Sequence, residues 1–303
     1  AVENHSPVGE AALRELYAQA GRAHVVGITG PPGVGKSTLV AALVREVRAA
    51  GRTVAVVAID PSSPITGGAI LGDRVRMQQH AGDAGVFIRS MAARGHIGGL
   101  AGTTAAAASV LAACGFDLVI IETVGTGQSE VEVAALADTT VVLQAPEMGD
   151  EIQAIKAGLL EVADVVVVGK ADRPGADRAA SQLRAMLAVG TTAEAAADGR
   201  RQSPKRPLLL LASGATGQGV PELLDALDRR RDGEARDLAA ARASRAKAMV
   251  EAVLAQRIHA TLWSDALHER AEGIVHAVAE HELDPYAAAD ELLDAFRTDP
   301  ARR

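Results

Sequence analysis

An α/β fold with a doubly wound, mostly parallel sheet is the architecture this sequence predicts, and three observations predict it. Short, continuously apolar runs alternate with helical stretches along most of the 303 residues, as strands covered on both faces require. A glycine-rich loop, GPPGVGKST at residues 30–38, joins the first apolar run to the first helical one. Beyond residue 232 the apolar runs stop and an Ala- and charge-rich helical segment follows. Residues 24–232 are therefore expected to form the α/β domain, with a helical leader at 1–23 and a C-terminal helical extension at 233–303.

Taken in order, the leader carries a short helix near 9–20. Strands are expected at 25–29, 53–59, 86–88, 117–122, 139–143, 164–168 and 207–212. Helices are expected near 36–50, 69–81, 97–114, 149–161, 175–189 and 220–231. The polar, Ala-rich stretch 191–204 reads as a loop or a helix extension. In the C-terminal extension, Asp284 followed by Pro285 starts the last helix, with Asp284 as its cap. That extension is either a dimerisation arm or a solvated tail that covers the sheet.

Composition narrows the function classes. Aromatic residues are only 2% of the chain, so the core must be aliphatic and base stacking on single-stranded nucleic acid is disfavoured. A net charge of −7 argues against a general polyanion binder, so no nucleic acid partner is expected. No apolar run reaches the ~18 residues of a membrane span and no signal peptide is evident, so no membrane partner and a cytoplasmic location are expected. The one cysteine, Cys114, can form no intrachain disulfide and reads as a small buried apolar residue.

The loop at 30–38 fits G-x-x-x-x-G-K-[ST], with Gly30 and Gly35 as its fixed glycines. Glycines let the backbone wrap a phosphate chain with its N–H groups pointing inward. Gly30, Gly33, Val34, Gly35, Lys36, Ser37 and Thr38 are thus assigned to a nucleotide. Lys36 reaches the β- and γ-phosphates, the Ser37 hydroxyl ligates Mg²⁺, and the helix that follows adds its positive end. A second carboxylate near the metal is needed, and Glu122 at the end of LVIIE supplies it. Glu122 and Gly125 form an E-x-x-G that resembles the D-x-x-G of GTPases. Glu122 would hold the metal through water, and the Gly125 N–H would sense the γ-phosphate; the alternative is a strand-end acid at the surface.

The base pocket follows from GKAD at 169–172, where GTPases carry N-K-x-D. The Asp172 carboxylate can accept from both N1–H and the 2-amino group of guanine, whereas adenine offers neither donor. The Lys170 stem would lie over the base. Gly169 stands where an Asn normally ties the base loop to the phosphate loop, which predicts weaker guanine affinity. Ser213, Gly214 and Ala215 resemble the S-A-[KL] loop whose backbone meets guanine O6.

Four segments narrow the resemblance. DPSSPITGGAILGDRVRM at 60–77, RGHIGGL at 94–100, IETVGTGQSE at 121–130 and GDEIQAIKAG at 149–158 are similar to those of the MeaB/ArgK/MMAA family, GTPases of the SIMIBI class. The likeness spans about residues 3–230. It implies a GTP-dependent chaperone of the cobalamin-dependent methylmalonyl-CoA mutase, gating cofactor delivery and protecting the enzyme. It places Asp60 and Asp73 in a first switch near Mg²⁺ and the attacking water, and so adds them to Lys36 and Glu122 as catalytic residues. Lys156 would lie in a third segment that couples to the partner. Thr126 occupies the position where many small GTPases orient water with a Gln, and Gln128 lies two residues on, so slow intrinsic hydrolysis is expected. A homodimer through the C-terminal helices is also implied.

Two other readings compete. A metallochaperone GTPase would need a Cys/His cluster, yet His5, His24, His80, His96, His259, His268, His276 and His281 show no ligand motif. A small-molecule kinase or transport ATPase would need an acceptor pocket and an arginine-bearing lid, and no such signature is recognisable.

Overall fold

The computed structural model describes residues 2, 6–61, 80, 82–93, 99–123, 136–146, 160, 162–197, 207–233, 235–264 and 267–298. Helix α1 (Pro7–Leu16) starts where Ser6 Oγ accepts from the Gly9 N–H and Pro7 takes the first helical position, and it runs into a 3₁₀ segment, Tyr17–Arg22. Then come β1 (His24–Thr29), α2 (Lys36–Ala49), β2 (Val54–Pro61), β3 (Val86–Ala93), α3 (Gly99–Ala113), β4 (Leu118–Thr123) and β5 (Thr139–Gln144). The domain continues through β6 (Val165–Val168), α4 (Ala176–Ala197), β7 (Leu208–Leu211) and α5 (Val220–Gly233). Three further helices close the chain: α6 (Ala235–Leu262), α7 (His268–Ala279) and α8 (Pro285–Thr298). The expected helices near 69–81 and 149–161 fall almost wholly outside the described residues.

The seven strands among the described residues are all parallel, in the order β3-β2-β4-β1-β5-β6-β7. β1 lies at the centre, hydrogen-bonded to β4 on one side and β5 on the other. One face packs Val26, Ile28, Ile120 and Leu143 under α2 and α5. The other packs Val25, Val119 and Ile121 under α3, with Met249 of α6 in the same cluster. A third cluster seats Ala176, Ala180 and Leu183 of α4 on Val142, Val166 and Val168. Because every strand points the same way, all their carboxyl ends meet at one edge, where open α/β sheets bind ligands.

Two local differences from the sequence reading have simple causes. β3 extends to Ala93 rather than ending at 88. It is an edge strand whose Phe87 and Arg89 face solvent while Val86, Ile88 and Ser90 do not, so its pattern alternates instead of forming an apolar run. For the 191–204 stretch, the helix extension is the reading that holds over its first part, α4 ending at Ala197. Cys114 is exposed, not buried. It follows the last residue of α3, and Gly115 at φ +91° turns the chain away there, leaving the thiol on the outer side. The expected cap of α8 is present: Asp284 Oδ1 accepts from the Tyr286 and Ala287 N–H groups at 2.9 and 3.1 Å.

The opposite edge of the sheet carries a buried polar knot. Asp138 Oδ2 accepts from the Val25 N–H at 2.9 Å, and its other oxygen lies 3.0 Å from Arg245 of α6. Arg245 also donates to the Leu136 carbonyl, which fastens α6 to the sheet. No described helix is long and apolar enough to cross a membrane. Beside the knot, His24 is buried, with Nε2 2.9 Å from Thr139 Oγ1. Burial lowers its pKa to about 4, the Asp138 charge opposing this only in part. Because the folded-state value lies below that of the unfolded chain, His24 disfavours the folded state increasingly as pH falls from about 6.5 toward about 4. The cost approaches about 3 kcal/mol once both states are protonated. Urea midpoints measured across that window are expected to fall less steeply for His24→Gln than for the parent chain.

Candidate functional site

The phosphate loop begins where β1 ends. At Gly30 φ is +143°, and a Cβ there would collide with the Leu143 carbonyl oxygen of β5. Gly33 and Gly35 also take left-handed φ, +75° and +100°, which non-glycine residues adopt at a cost. These turns curl the loop back onto the first turn of α2. Gly35 is the N-cap residue and provides no capping side chain, so the helix presents bare N–H groups and its positive end to the loop.

Lys36 is buried, with Nζ donating to the carbonyls of Gly30 and Pro31 at 2.7 and 2.8 Å. The ammonium therefore sits inside the loop's own ring of carbonyls. Ser37 Oγ donates to Glu122 Oε1 at 2.6 Å, and both residues are buried. Glu122 lies in β4, in register with Ile28 of β1 and Ala58 of β2, so the sheet carries its carboxylate rigidly to the loop. A hydroxyl and a carboxylate are hard oxygen donors, and two protein oxygens beside a phosphate cradle suit Mg²⁺, which keeps most of its other positions for water and phosphate. The residues present thus fit that ion.

Next to the loop, a cavity of about 190 Å³ is lined by Val34, Thr38 and Leu39 on the phosphate side and by Leu143, Gly169, Lys170, Asp172 and Ser213 on the base side. Lys170 takes a left-handed φ of +52°, and the Arg173 N–H closes a turn on the Lys170 carbonyl at 2.9 Å. The Asp172 carboxyl is held below the usual carboxylate range, first by a hydrogen bond from the Ser213 hydroxyl and then by its own backbone N–H. Ser213 is fully buried and also accepts from the Thr216 N–H at 3.2 Å, so it orients Asp172 from a fixed loop. An ionised acceptor beside an apolar slot is the arrangement that selects a base with adjacent ring and amino donors.

Two glycines join the base side to the phosphate side. A Cβ on Gly214 would lie 2.6 Å from backbone atoms of Thr38 and Leu39, so the base loop rests directly on the first turn of α2. A Cβ on Gly169 would stand 3.4 Å from the Val34 carbonyl and 3.1 Å from Leu143 Cδ1. Position 169 therefore faces the phosphate loop, and with glycine there no side chain bridges the two.

The structure brings together Gly30, Gly33, Val34, Gly35, Lys36, Ser37, Thr38 and Glu122 at the phosphate end, and Lys170, Asp172, Ser213, Gly214 and Ala215 around the base cavity. Asp60 is the penultimate residue of β2, in register with Ala92, but its side chain lies outside the described residues, as do Asp73, Gly125, Gln128 and Lys156 altogether. Leu143 escapes sequence reasoning. It belongs to no motif, and only the pairing of β5 with β1 sets its carbonyl against Gly30 and its side chain in the cavity.

Comparisons with known proteins place the chain in a family. A family model described as Methylmalonyl Co-A mutase-associated GTPase MeaB matches residues 1–267. A protein of Pyrococcus horikoshii provisionally named as a GTPase is 43% identical over 299 residues, covering 97% of this chain and 90% of its own. The mitochondrial methylmalonic aciduria type A homolog of Mus musculus is 33% identical over 280 residues, covering 90% of this chain and 65% of its own. Among solved structures, an LAO/AO transport system kinase superposes with a TM-score of 0.63 at 26% identity, covering 94% of this chain and 85% of that one.

Two substitutions test the base cavity. Asp172→Asn replaces an acceptor with a donor facing the base donors. It is expected to weaken GDP binding roughly 10- to 100-fold, with xanthosine diphosphate losing far less, as read by calorimetry. Gly214→Ala forces the base loop off α2. A roughly tenfold loss of GDP affinity is expected, with a thermal midpoint lowered by only a few degrees.

Proposed function

Because the chain belongs to the MeaB family of GTPases, we propose that it binds and hydrolyses GTP to gate cofactor loading of a cobalamin-dependent methylmalonyl-CoA mutase and to protect that enzyme. The observation that carries the nucleotide half of this reading is the Asp172 carboxylate, fixed by buried Ser213 in a cavity that adjoins the phosphate loop. The mutase half is supported by the family description and by the name of the mouse relative.

In the proposed cycle, guanine enters the cavity with its N1–H and amino group on Asp172 and its face along the Lys170 stem. Lys36 exchanges the neutral carbonyl acceptors of Gly30 and Pro31 for anionic β- and γ-phosphate oxygens, a stronger contact for an ammonium. Ser37 and Glu122 would hold Mg²⁺, which when bound neutralises charge on the phosphates. Asp60 and Asp73, near the metal and the attacking water, complete the catalytic set, and the Gly125 N–H reports whether the γ-phosphate is present. Gln128 and Lys156 pass that state to the mutase. The active form is a cytoplasmic homodimer joined through α6, α7 and α8. Thr126 offers no water-orienting amide, so hydrolysis is slow until the partner orders the switches.

The test is a pull-down with purified mutase in the presence of GDP, a non-hydrolysable GTP analogue or no nucleotide, paired with GTP turnover measured with and without the mutase. Nucleotide-dependent capture and faster turnover are expected. Failure to retain the mutase in every nucleotide state would overturn the chaperone reading and leave the GTPase one standing.

A further inference from the structure

The main-chain ladder between β1 and β4 runs as far as the pair Ile28 and Glu122. One residue further on, Thr29 still pairs with Val142 of β5 and Thr123 with Ile59 of β2, but the two are no longer a ladder pair with each other. At that point the two strand ends are joined by side chains. Thr123 Oγ1 donates to Thr29 Oγ1 at 3.0 Å, and both residues are fully buried. Strand alternation puts this pair on the α3 face of the sheet, with Val25 and Ile121, whereas Glu122 points to the α2 face and meets Ser37. Val25, Val119 and Ile121 are aliphatic, and valine would fill either threonine's volume there without a hydroxyl. Two hydroxyls in such a place, each the other's partner, mark a specific link.

We propose that Thr123, acting through Thr29, is a positioning residue for GTP hydrolysis. Thr29 is the last residue before the phosphate loop and Thr123 the first after Glu122. Their bond therefore holds the carboxylate-bearing strand end level with the root of the loop, where the ladder no longer does so. Glu122 is thereby gripped on both faces of the sheet: its own carboxylate by Ser37, its neighbour's hydroxyl by Thr29. Lengthening this link lets the Ser37–Glu122 pair drift relative to the γ-phosphate, while the base side of the cavity, lined by Leu143, Gly169, Lys170, Asp172 and Ser213, has no residue of β4 in it. A displacement of this kind lowers rate far more than ground-state binding.

The inference rests on the GTPase reading, and the two fail separately. If the parent chain, with Mg²⁺, turns over no GTP at all, that reading falls. If it turns over GTP but the variants do so equally well, only the positioning role falls. The full chain is compared as parent, Thr123→Val, Thr29→Val, the double valine variant and Thr123→Ser, by single-turnover GTP hydrolysis, GDP calorimetry and thermal unfolding. Each single valine variant is expected to hydrolyse GTP roughly tenfold more slowly with its GDP affinity within about threefold of the parent. The double variant is expected to lose no more than a single one, since one bond is removed in every case. Serine at 123 keeps the hydroxyl and is expected to restore the rate to within about threefold. A Thr123→Val rate within about twofold of the parent, losses that simply add, or a parallel fall in GDP affinity would each overturn the proposal. Should Thr123→Val fail to fold, the double variant, which leaves neither hydroxyl without its partner, carries the same readout.

Discussion

At residue 30 the backbone passes so close to the Leu143 carbonyl that no side chain fits. That contact sets the geometry of the site. A loop that wraps anionic oxygens must leave its strand sharply, and here it leaves from the central strand of seven, between β4 and β5. Both faces of that strand are packed by aliphatic contacts, and the departure point itself carries the Thr29–Thr123 hydroxyl pair. The left-handed turns at Gly33 and Gly35 then return the chain to α2, whose first turn gives the loop its N–H groups and its ammonium. A side chain at residue 30 would push β1 and β5 apart and misplace everything mounted on their ends.

Around this point, strand ends deliver the chemistry. β4 supplies Glu122 from one side of β1, and the loops after β6 and β7 supply Asp172 and Ser213 from the other. The acidic net charge of the chain is no obstacle to a phosphate cradle, because such a cradle needs only one loop and one helix end. Rigidity differs across the site. The phosphate loop and the base cavity are tied by backbone packing, Gly214 lying on Thr38 and Leu39. The second connection, at position 169, is missing because glycine has no side chain to offer.

Local constraints were the legible ones. The glycines of the loop, the lysine after Gly35 and the acid ending an apolar strand are each demanded by short-range geometry, and their spacing survives in one dimension. The capping Asp284 is legible for the same reason: its partners are two and three residues away. Contacts between distant strands leave no such trace. Leu143 looks like any other residue of an aliphatic strand, and Thr29 and Thr123 are 94 residues apart. The exposure of Cys114 depended on a turn at Gly115, and the length of β3 on its place at the sheet edge, neither of which composition reveals.

By itself, the sequence determined that this chain is a phosphate-loop α/β protein with a carboxylate, Asp172, in the loop after a later strand, because glycine conformation and strand patterning are properties of neighbours along the chain. Only the tertiary structure decided that β1 lies between β4 and β5. That order is what brings Ser37 to Glu122, closes Leu143 over Gly30 and lets Thr123 reach Thr29. The reason is physical: parallel strands pair through crossover helices, so residues far apart in sequence become neighbours only once the sheet has chosen its order.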